Sequence, residues 1–183
     1  MVVFLRVLRL LAIVVWVGGL VFFAFVVAPV AFSVLPSTHE AGMVVRATLG
    51  VLNDLGYFCG LVFLLATSLL WLRSGGRGHW RFAAQCLLAA LMLAATVYVQ
   101  ASIVPAMEHD RIAAGGDVDA APKDNPARMD FERLHPISEK IEGAALFLGL
   151  AVVVLMGFES EGLAHGQRER TATAKECPFG DDR

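Results

Sequence analysis

Four long stretches without Asp, Glu, Lys or Arg constrain the fold of this chain more than any other feature. They contain 30, 18, 26 and 16 residues and lie between Arg9 and Glu40, Asp54 and Arg73, Arg81 and Glu108, and Glu142 and Glu159. A helix that crosses a bilayer needs about 20 apolar residues, within a range of roughly 17–25. Three stretches meet this requirement, and Ile137 and Ile141 extend the apolar face of the fourth. We therefore predict four membrane-spanning helices.

The composition excludes several other classes of protein. Hydrophobic residues make up 57% of the 183 residues and charged residues 17%, whereas soluble domains contain about a quarter charged residues. A soluble domain of this length has too little interior to hide so much apolar surface, which argues against a soluble enzyme and against a disordered chain. The net charge of −2 provides no basic surface for nucleic acid.

The bilayer also determines the fold class. Within lipid every backbone N–H and C=O must find a partner inside the structure, and helices satisfy this requirement within one segment. We predict an all-α polytopic membrane protein in which residues 1–158 form a four-transmembrane-helix bundle and residues 159–183 form a polar cytoplasmic tail. The first apolar run is too long for a signal peptide, so we expect it to be retained. No internal repeat is evident.

Positive charges near the ends of the spans predict the orientation. Arg6 and Arg9 precede the first span, and Arg73, Arg77 and Arg81 occupy the short link between the second and third spans. Cytoplasmic loops of membrane proteins carry an excess of Lys and Arg. We therefore expect a multi-pass protein of the inner (plasma) membrane, with both termini in the cytoplasm and both longer connections outside.

The second and fourth predicted helices are longer than a bilayer requires. The second runs from about Ala41 to Arg73, and the fourth starts near Asp130 and reaches Phe158. At about 1.5 Å per residue, some 30 residues exceed the hydrocarbon core. We therefore expect the helices to extend beyond the membrane on the outer side, joined there by a loop rich in Gly, Pro, Asn and Asp.

Polar side chains cluster near these outer ends. Several of them recur three or four residues apart, which places them on one face of a helix. Those of the second, third and fourth spans all lie towards the same end of the predicted bundle. The sequence predicts a candidate polar pocket at the outer interface that is formed by Arg46, Asn53, Asp54, Gln100, Glu108, His135, Glu139 and Glu142.

Two interpretations of this pocket are open. Its members are either solvated or paired to lock the helices together, or they form a cation or metal site or the mouth of a translocation path. Glu132 and His135 have the spacing of one half of a di-iron site, but such bundles need a second copy and two more glutamates. We assign no metal and no cofactor. The chain has no nucleotide-binding or catalytic motif, so we expect no enzymatic activity.

Three blocks of sequence resemble a known family. VVWVGGLVFFAFVVAPVAFSVLP, ATVYVQASIVPAMEH and FERLHPISEKIEG are similar, in this order, to the first, third and fourth helices of the family related to transmembrane protein 205. Many bacterial members of that family are described only as a domain of unknown function. Pro136 stands where the family commonly has glycine, and because proline fits the first turn of a helix it favours a start of the fourth helix near Leu134. The resemblance implies a four-helix membrane fold but no chemistry.

The leading functional hypothesis is a non-enzymatic integral membrane protein that serves as an accessory or scaffold subunit of a membrane assembly. The alternative is a small transporter or cation-binding membrane protein that uses the outer polar pocket. The expected partners are the lipid bilayer and other membrane-protein subunits or further copies of this chain, but no nucleic acid.

Overall fold

The computed structural model describes residues 1–74 and 79–175, and side chains over 1–74 and 80–158. These residues are all-helical, without a strand, and contain four helices that are long and apolar enough to cross a membrane. This confirms the predicted fold class. Arg77 of the predicted cytoplasmic link, and residues 176–183 of the predicted tail, lie outside the described residues.

The first and third long helices share an unusual construction. Helix α1 consists of Val2–Phe22, a π-helical turn over Phe23–Val27, and Ala28–Val34. Helix α3 consists of His79–Tyr98, a π-helical turn over Val99–Ile103, and Val104–Ala113. A proline follows each π turn at the second position of the next segment. A proline removes one backbone hydrogen bond and crowds the preceding turn, and π-helical turns occur mostly as single turns inside α-helices.

The second and fourth long helices begin with side-chain caps. Helix α2 covers Thr38–Arg73, and the backbone N–H of Glu40 donates to Oγ of Ser37 at 3.2 Å. Helix α4 covers Pro126–Lys175, and the N–H of Ala127 donates to Oδ1 of Asn125 at 2.9 Å. Both caps satisfy backbone donors that have no partner within the helix.

The start of helix α4 differs from the prediction. The helix begins at Pro126, not near Asp130 or Leu134, and Pro136 lies inside it. Proline is well suited to the first helical position because its missing N–H would have no partner there, and Asn125 supplies the cap. Pro136 has no N–H to donate to the carbonyl oxygen of Glu132, four residues earlier, and the helix continues without this hydrogen bond.

The four helices pack in chain order. Helix α1 packs mainly on α2 and α3 mainly on α4, while α2 also contacts α3 and α1 also contacts α4. The interior between them contains the completely buried side chains of Ile13, Trp16, Phe63, Met92 and Val152.

Glycines allow the closest of these contacts. A Cβ added at Gly56 or Gly60 would lie 2.6 or 2.9 Å from the indole of Trp16, and one added at Gly149 would lie 2.9 Å from the terminal methyl of Met92. The small pairs Gly56–Gly60 and Ala145–Gly149 thus lie at buried helix interfaces. Membrane helices use small residues in this way to approach one another.

The two ends of the bundle differ in their connections. The N-terminal end is the end where α1 and α3 begin, and the loop end carries the connections at residues 35–37 and 114–125. In the longer connection Gly115 and Gly116 both have φ of 96°, a conformation that glycine adopts without steric cost. Arg111 donates to the carbonyl oxygen of Gly116 at 3.0 Å, and Arg128 donates to those of Asp119 and Ala121 at 3.0 and 2.7 Å. These contacts hold the connection against α3 and α4.

Candidate functional site

A cleft of about 400 Å³ opens near the loop end between α2 and α3. It combines small, apolar and charged side chains, and its lining residues are Arg46, Ala47, Leu49, Gly50, Gln100, Val104, Pro105 and Glu108. Its polar members, Arg46, Gln100 and Glu108, all belong to the predicted polar pocket. The structure therefore brings these three residues together.

An ion cluster stands at the mouth of this cleft. The guanidinium group of Arg46 forms an ion pair with the carboxylate of Glu108. Arg111, one turn further along α3, donates to both oxygens of the same carboxylate at 2.7 and 3.0 Å. The side chain of Arg46 is 53% exposed, so its pairing contributes only about 0–1 kcal/mol to stability. The Arg46–Glu108 pair can therefore open at small energetic cost.

Polar contacts continue from the cleft into the bundle. Gln100 lines the cleft and lies in the π-helical turn of α3, and its Oε1 accepts a hydrogen bond of 3.3 Å from Nδ2 of Asn53. Asn53 is 2% exposed. Because Pro105 has no N–H, the turn that carries Gln100 also has one helical donor fewer for its carbonyl groups. This turn of α3 therefore has one carbonyl group without a backbone donor from Pro105.

The carboxylate of Glu142 lies at the inner end of these contacts. Both of its oxygens are inaccessible to solvent, and neither has a hydrogen-bond partner of standard geometry. Asn53 lies beside the carboxylate, and Tyr57 is within electrostatic reach of both Asp54 and Glu142. A buried charge without hydrogen bonds or a counter-ion is strongly unfavourable. The environment of Glu142 therefore favours a bound proton or cation.

The remaining predicted residues do not line the cleft. His135 Nδ1 is 3.6 Å from Glu139 Oε1, and these side chains are 47% and 67% exposed on α4. Glu132 pairs with Arg128 at 2.7 Å rather than with His135. Asp54 is exposed on α2. Among the described residues, no group of three or more His, Cys, Asp or Glu side chains could hold a metal ion.

A second buried polar cluster lies near the N-terminal end, and the sequence reasoning did not predict it. Arg9 is 4% exposed and Gln85 is 0% exposed, and Nη1 of Arg9 donates to Oε1 of Gln85 at 3.1 Å. The guanidinium group also lies 5.7 Å from the centre of the Phe82 ring, a cation–π distance. The sequence alone indicates only that Arg9 is a charge at the start of the first span. Its position four residues from both Leu5 and Ile13, on the buried face of α1, is the signal that could have revealed it.

These observations define a small polytopic four-helix membrane protein with buried polar groups at two levels. The chain belongs to the family described as a domain of unknown function, DUF4149, whose match covers residues 11–111. The matched region includes most of α1, all of α2 and the residues of α3 that line the cleft. No curated protein and no solved structure matches the chain. Glu142 lies on α4, outside the matched region.

Proposed function

We propose that this protein is a non-enzymatic membrane protein that binds a monovalent cation at Glu142. The observation that carries the proposal is the buried carboxylate of Glu142, whose two oxygens have no hydrogen bond of standard geometry although Asn53 lies beside them. An ionisable side chain inside a membrane protein marks a functional site more often than a structural one, because burying it is costly. A cation of unit charge would compensate the single carboxylate and leave the site neutral.

The chemistry of the neighbouring groups supports a hard cation. The amide nitrogen of Asn53 donates to Gln100 and also faces the carboxylate of Glu142, so the ligand that this site offers an ion is the carboxylate itself. Carboxylate oxygens suit hard cations rather than thiophilic metals. We take Na⁺ as the probe, with the proton as the competing occupant of the same carboxylate.

The cleft between α2 and α3 supports an entry path from the loop end. Gln100 contacts both the cleft and Asn53, so polar groups extend from the mouth towards Glu142. The arginines near the N-terminal end of the bundle favour a cytoplasmic location for that end. The proposed ion therefore enters from outside an inner (plasma) membrane, and the proposed location of both termini is the cytoplasm.

Cysteine labelling tests this orientation. In a chain without Cys177, a cysteine at Ser74 is expected to react with an impermeant maleimide only from the cytoplasmic side, and one at Asp119 only from outside. Asp119 is exposed and lies on the loop-end connection. The opposite pattern of labelling would place the cleft in the cytoplasm.

Thermal stability in detergent tests the cation site. At constant ionic strength, replacing choline chloride by NaCl is expected to raise the melting temperature of the wild type. At 100 times Kd the stabilisation would reach about 2.7 kcal/mol. Glu142→Gln is expected to abolish the Na⁺ effect, whereas Glu139→Gln, an exposed position one turn earlier on the same helix, should retain it. A wild type that is indifferent to Na⁺, or a Na⁺ effect that survives Glu142→Gln, would refute the proposal.

An accessory or scaffold subunit is the second candidate function. It is supported by exposed apolar side chains on the helix turns near the loop end, where Met43 is 48%, Val51 71% and Ile112 64% exposed. If these turns project beyond the membrane, as their helix lengths suggest, they would suit another membrane-protein subunit. The proposed relation to transmembrane protein 205 is compatible with either function and rests on the three sequence blocks. Purification in mild detergent should yield a stoichiometric partner if this second function holds, and a chain that purifies alone or as a homo-oligomer would contradict it.

A further inference from the structure

Helices α1 and α3 repeat the same features in the same order. The π-helical turns over Phe23–Val27 and Val99–Ile103, and the prolines Pro29 and Pro105 that follow them, occupy equivalent positions. Each of these features of α1 recurs in α3, 76 residues later along the chain, and the same number of residues separates Arg9 from Gln85. The buried positions follow this spacing too, and the equivalent buried pairs are Arg9 and Gln85, Ile13 and Ala89, Trp16 and Met92, and Leu20 and Thr96.

Helices α2 and α4 repeat one another in the same way. At a second constant spacing of 89 residues, four inward-facing residues of α2 correspond to inward-facing residues of α4. The pairs are Asn53 and Glu142, Gly56 and Ala145, Gly60 and Gly149, and Phe63 and Val152. The packing repeats as well, because Trp16 lies on Gly60 and its equivalent Met92 lies on Gly149.

The chain is therefore built from two similar helical hairpins, hairpin A (α1 and α2) and hairpin B (α3 and α4). Because chain order places α1 opposite α3 and α2 opposite α4, a pseudo-two-fold axis runs along the bundle between them. Equivalent residues meet near this axis. Arg9 bonds to its equivalent Gln85, and Asn53 lies beside its equivalent Glu142.

The contacts between the hairpins are polar at both ends of the bundle. The Arg46–Glu108 ion pair and the Asn53–Gln100 hydrogen bond join the hairpins near the loop end, and the Arg9–Gln85 hydrogen bond joins them near the N-terminal end. Within each hairpin a large side chain lies on glycine, and contacts of the same kind join the hairpins between these two ends, where Val17 lies on Gly149 and Leu93 on Gly60. Polar partners can be exchanged for water, whereas separating close-packed apolar surfaces leaves voids. The polar ends of the hairpins can therefore part more readily than the apolar middle.

We propose that the two hairpins move against each other as rigid units and that this motion carries the ion bound at Glu142 across the membrane. The Arg46–Glu108 pair is the gate at the loop end, and the Arg9–Gln85 bond is the gate at the N-terminal end. Parallel repeats with a site at their interface are a recurring architecture of carriers, in which one repeat rocks against the other. The identity of the cargo rests on the proposed function, but the motion does not.

Reciprocal labelling of two reporter cysteines tests the motion. The reporters are placed singly, in a chain whose native cysteines are alanine, at Leu49 in the loop-end cleft and at Thr67. Thr67 is completely buried, and it lies at the level of Arg9, because Leu5 packs with the neighbouring Ala66 and Leu70 while Ile13 packs with Phe63. Labelling rates with a small maleimide are measured in detergent in choline chloride, without Na⁺.

Weakening one gate should shift the population towards the state in which that end is open. Arg9→Gln is expected to raise labelling at position 67 several-fold and to lower it at position 49. Arg46→Gln is expected to do the reverse. Arg128→Gln, which removes a contact within hairpin B, should change neither rate.

Two results would overturn the proposal. If both reporters become more reactive together, the substitution has only loosened the bundle, and if neither rate changes, the contacts are not gates. Gln85→Asn, which shortens the acceptor but retains its amide, provides a second variant should Arg9→Gln fail to elute as a folded protein. Because no Na⁺ is present, reciprocal labelling together with a failed Na⁺ stabilisation test would retain the motion and reject only the cargo.

Discussion

The middle of the bundle and the contacts between the hairpins near its two ends are built from different kinds of residue. Within hairpin A the indole of Trp16 lies on Gly56 and Gly60, at distances that leave no room for a methyl group. Between hairpins A and B, hydrogen bonds and an ion pair link side chains near both ends of the bundle. Apolar surfaces of two membrane helices gain little from leaving lipid, so they associate by close packing and interhelical hydrogen bonds.

This difference separates rigid from adjustable parts of the molecule. A large side chain seated on glycine has one good arrangement, and displacing it loses many small dispersion contacts together. A hydrogen bond between long polar side chains near the bundle ends can be replaced by bonds to water. The comparison predicts that substitutions in the apolar middle of the bundle destabilise the protein more than substitutions of the polar contacts between the hairpins do.

The largest effect is expected for the two equivalent core residues. Trp16→Ala should lower the free energy of unfolding by about 3–5 kcal/mol, and Met92→Ala by about 2–5 kcal/mol, because each removes a completely buried side chain and leaves a cavity. Unfolding of the purified protein by denaturant in detergent measures both. If Trp16→Ala and Met92→Ala lowered the free energy of unfolding by less than Asn53→Ala or Arg46→Gln does, the proposed difference in stability would be wrong.

A smaller loss is expected when the glycine contact is filled. Gly60→Leu should cost about 1–3 kcal/mol, because the added atoms collide with the indole of Trp16. Gly42→Leu on the same helix is the matched control, since no atom lies within 4 Å of a Cβ added there. The control should be neutral or slightly stabilising, because leucine has a higher helix propensity than glycine. Equal losses in both variants would attribute the effect to glycine itself rather than to the contact.

Removing a hydrogen bond between the hairpins should cost less. Asn53→Ala deletes the donor to Gln100, and interhelical hydrogen bonds in a membrane protein contribute on average about 0.6 kcal/mol. In a double-mutant cycle with Gln100→Ala, the coupling energy isolates this bond. A coupling above about 3 kcal/mol would exceed the usual range for neighbouring residues and contradict an adjustable interface.

The smallest effect is expected at the exposed gate. Arg46→Gln should change the free energy of unfolding by about 0–1 kcal/mol, because its ion pair with Glu108 is partly solvated. The difference between wild type and variant should shrink as salt is added, since salt screens exposed charges. A large, salt-independent loss would show that Arg46 locks the bundle rather than gates it.

The sequence was sufficient to predict the fold class, because uncharged stretches of this length have few alternatives in lipid. It also selected Arg46, Gln100 and Glu108, since helical spacing and the common loop end place them on facing helices. Spacing could not show that His135 and Glu139 remain exposed, because that depends on the rotation of α4 within the bundle.

Residue identities could not reveal the hydrogen-bond partner of Arg9 or the repeat of the hairpin. A charged residue next to an apolar run is expected at the membrane interface unless it has a polar partner inside the bundle. Arg9 has such a partner in Gln85, which lies on another helix. The repeat retains few identities, among them Pro29 with Pro105 and Gly60 with Gly149. What it retains is a pattern of burial and helix type, which only the packed structure displays.

Distance measurements between spin labels test the central claim, that two rigid hairpins meet at an adjustable interface. Labels at Phe22 and Val51 report on hairpin A, whereas labels at the equivalent positions Phe22 and Tyr98 report on the interface, and all three side chains are exposed. The account predicts a narrow distribution within the hairpin that Na⁺ leaves unchanged. It predicts a broad or two-peaked distribution between the hairpins that Na⁺ shifts in the wild type and not in Glu142→Gln. A distribution between the hairpins that is as narrow as the one within the hairpin, and equally insensitive to Na⁺, would contradict it.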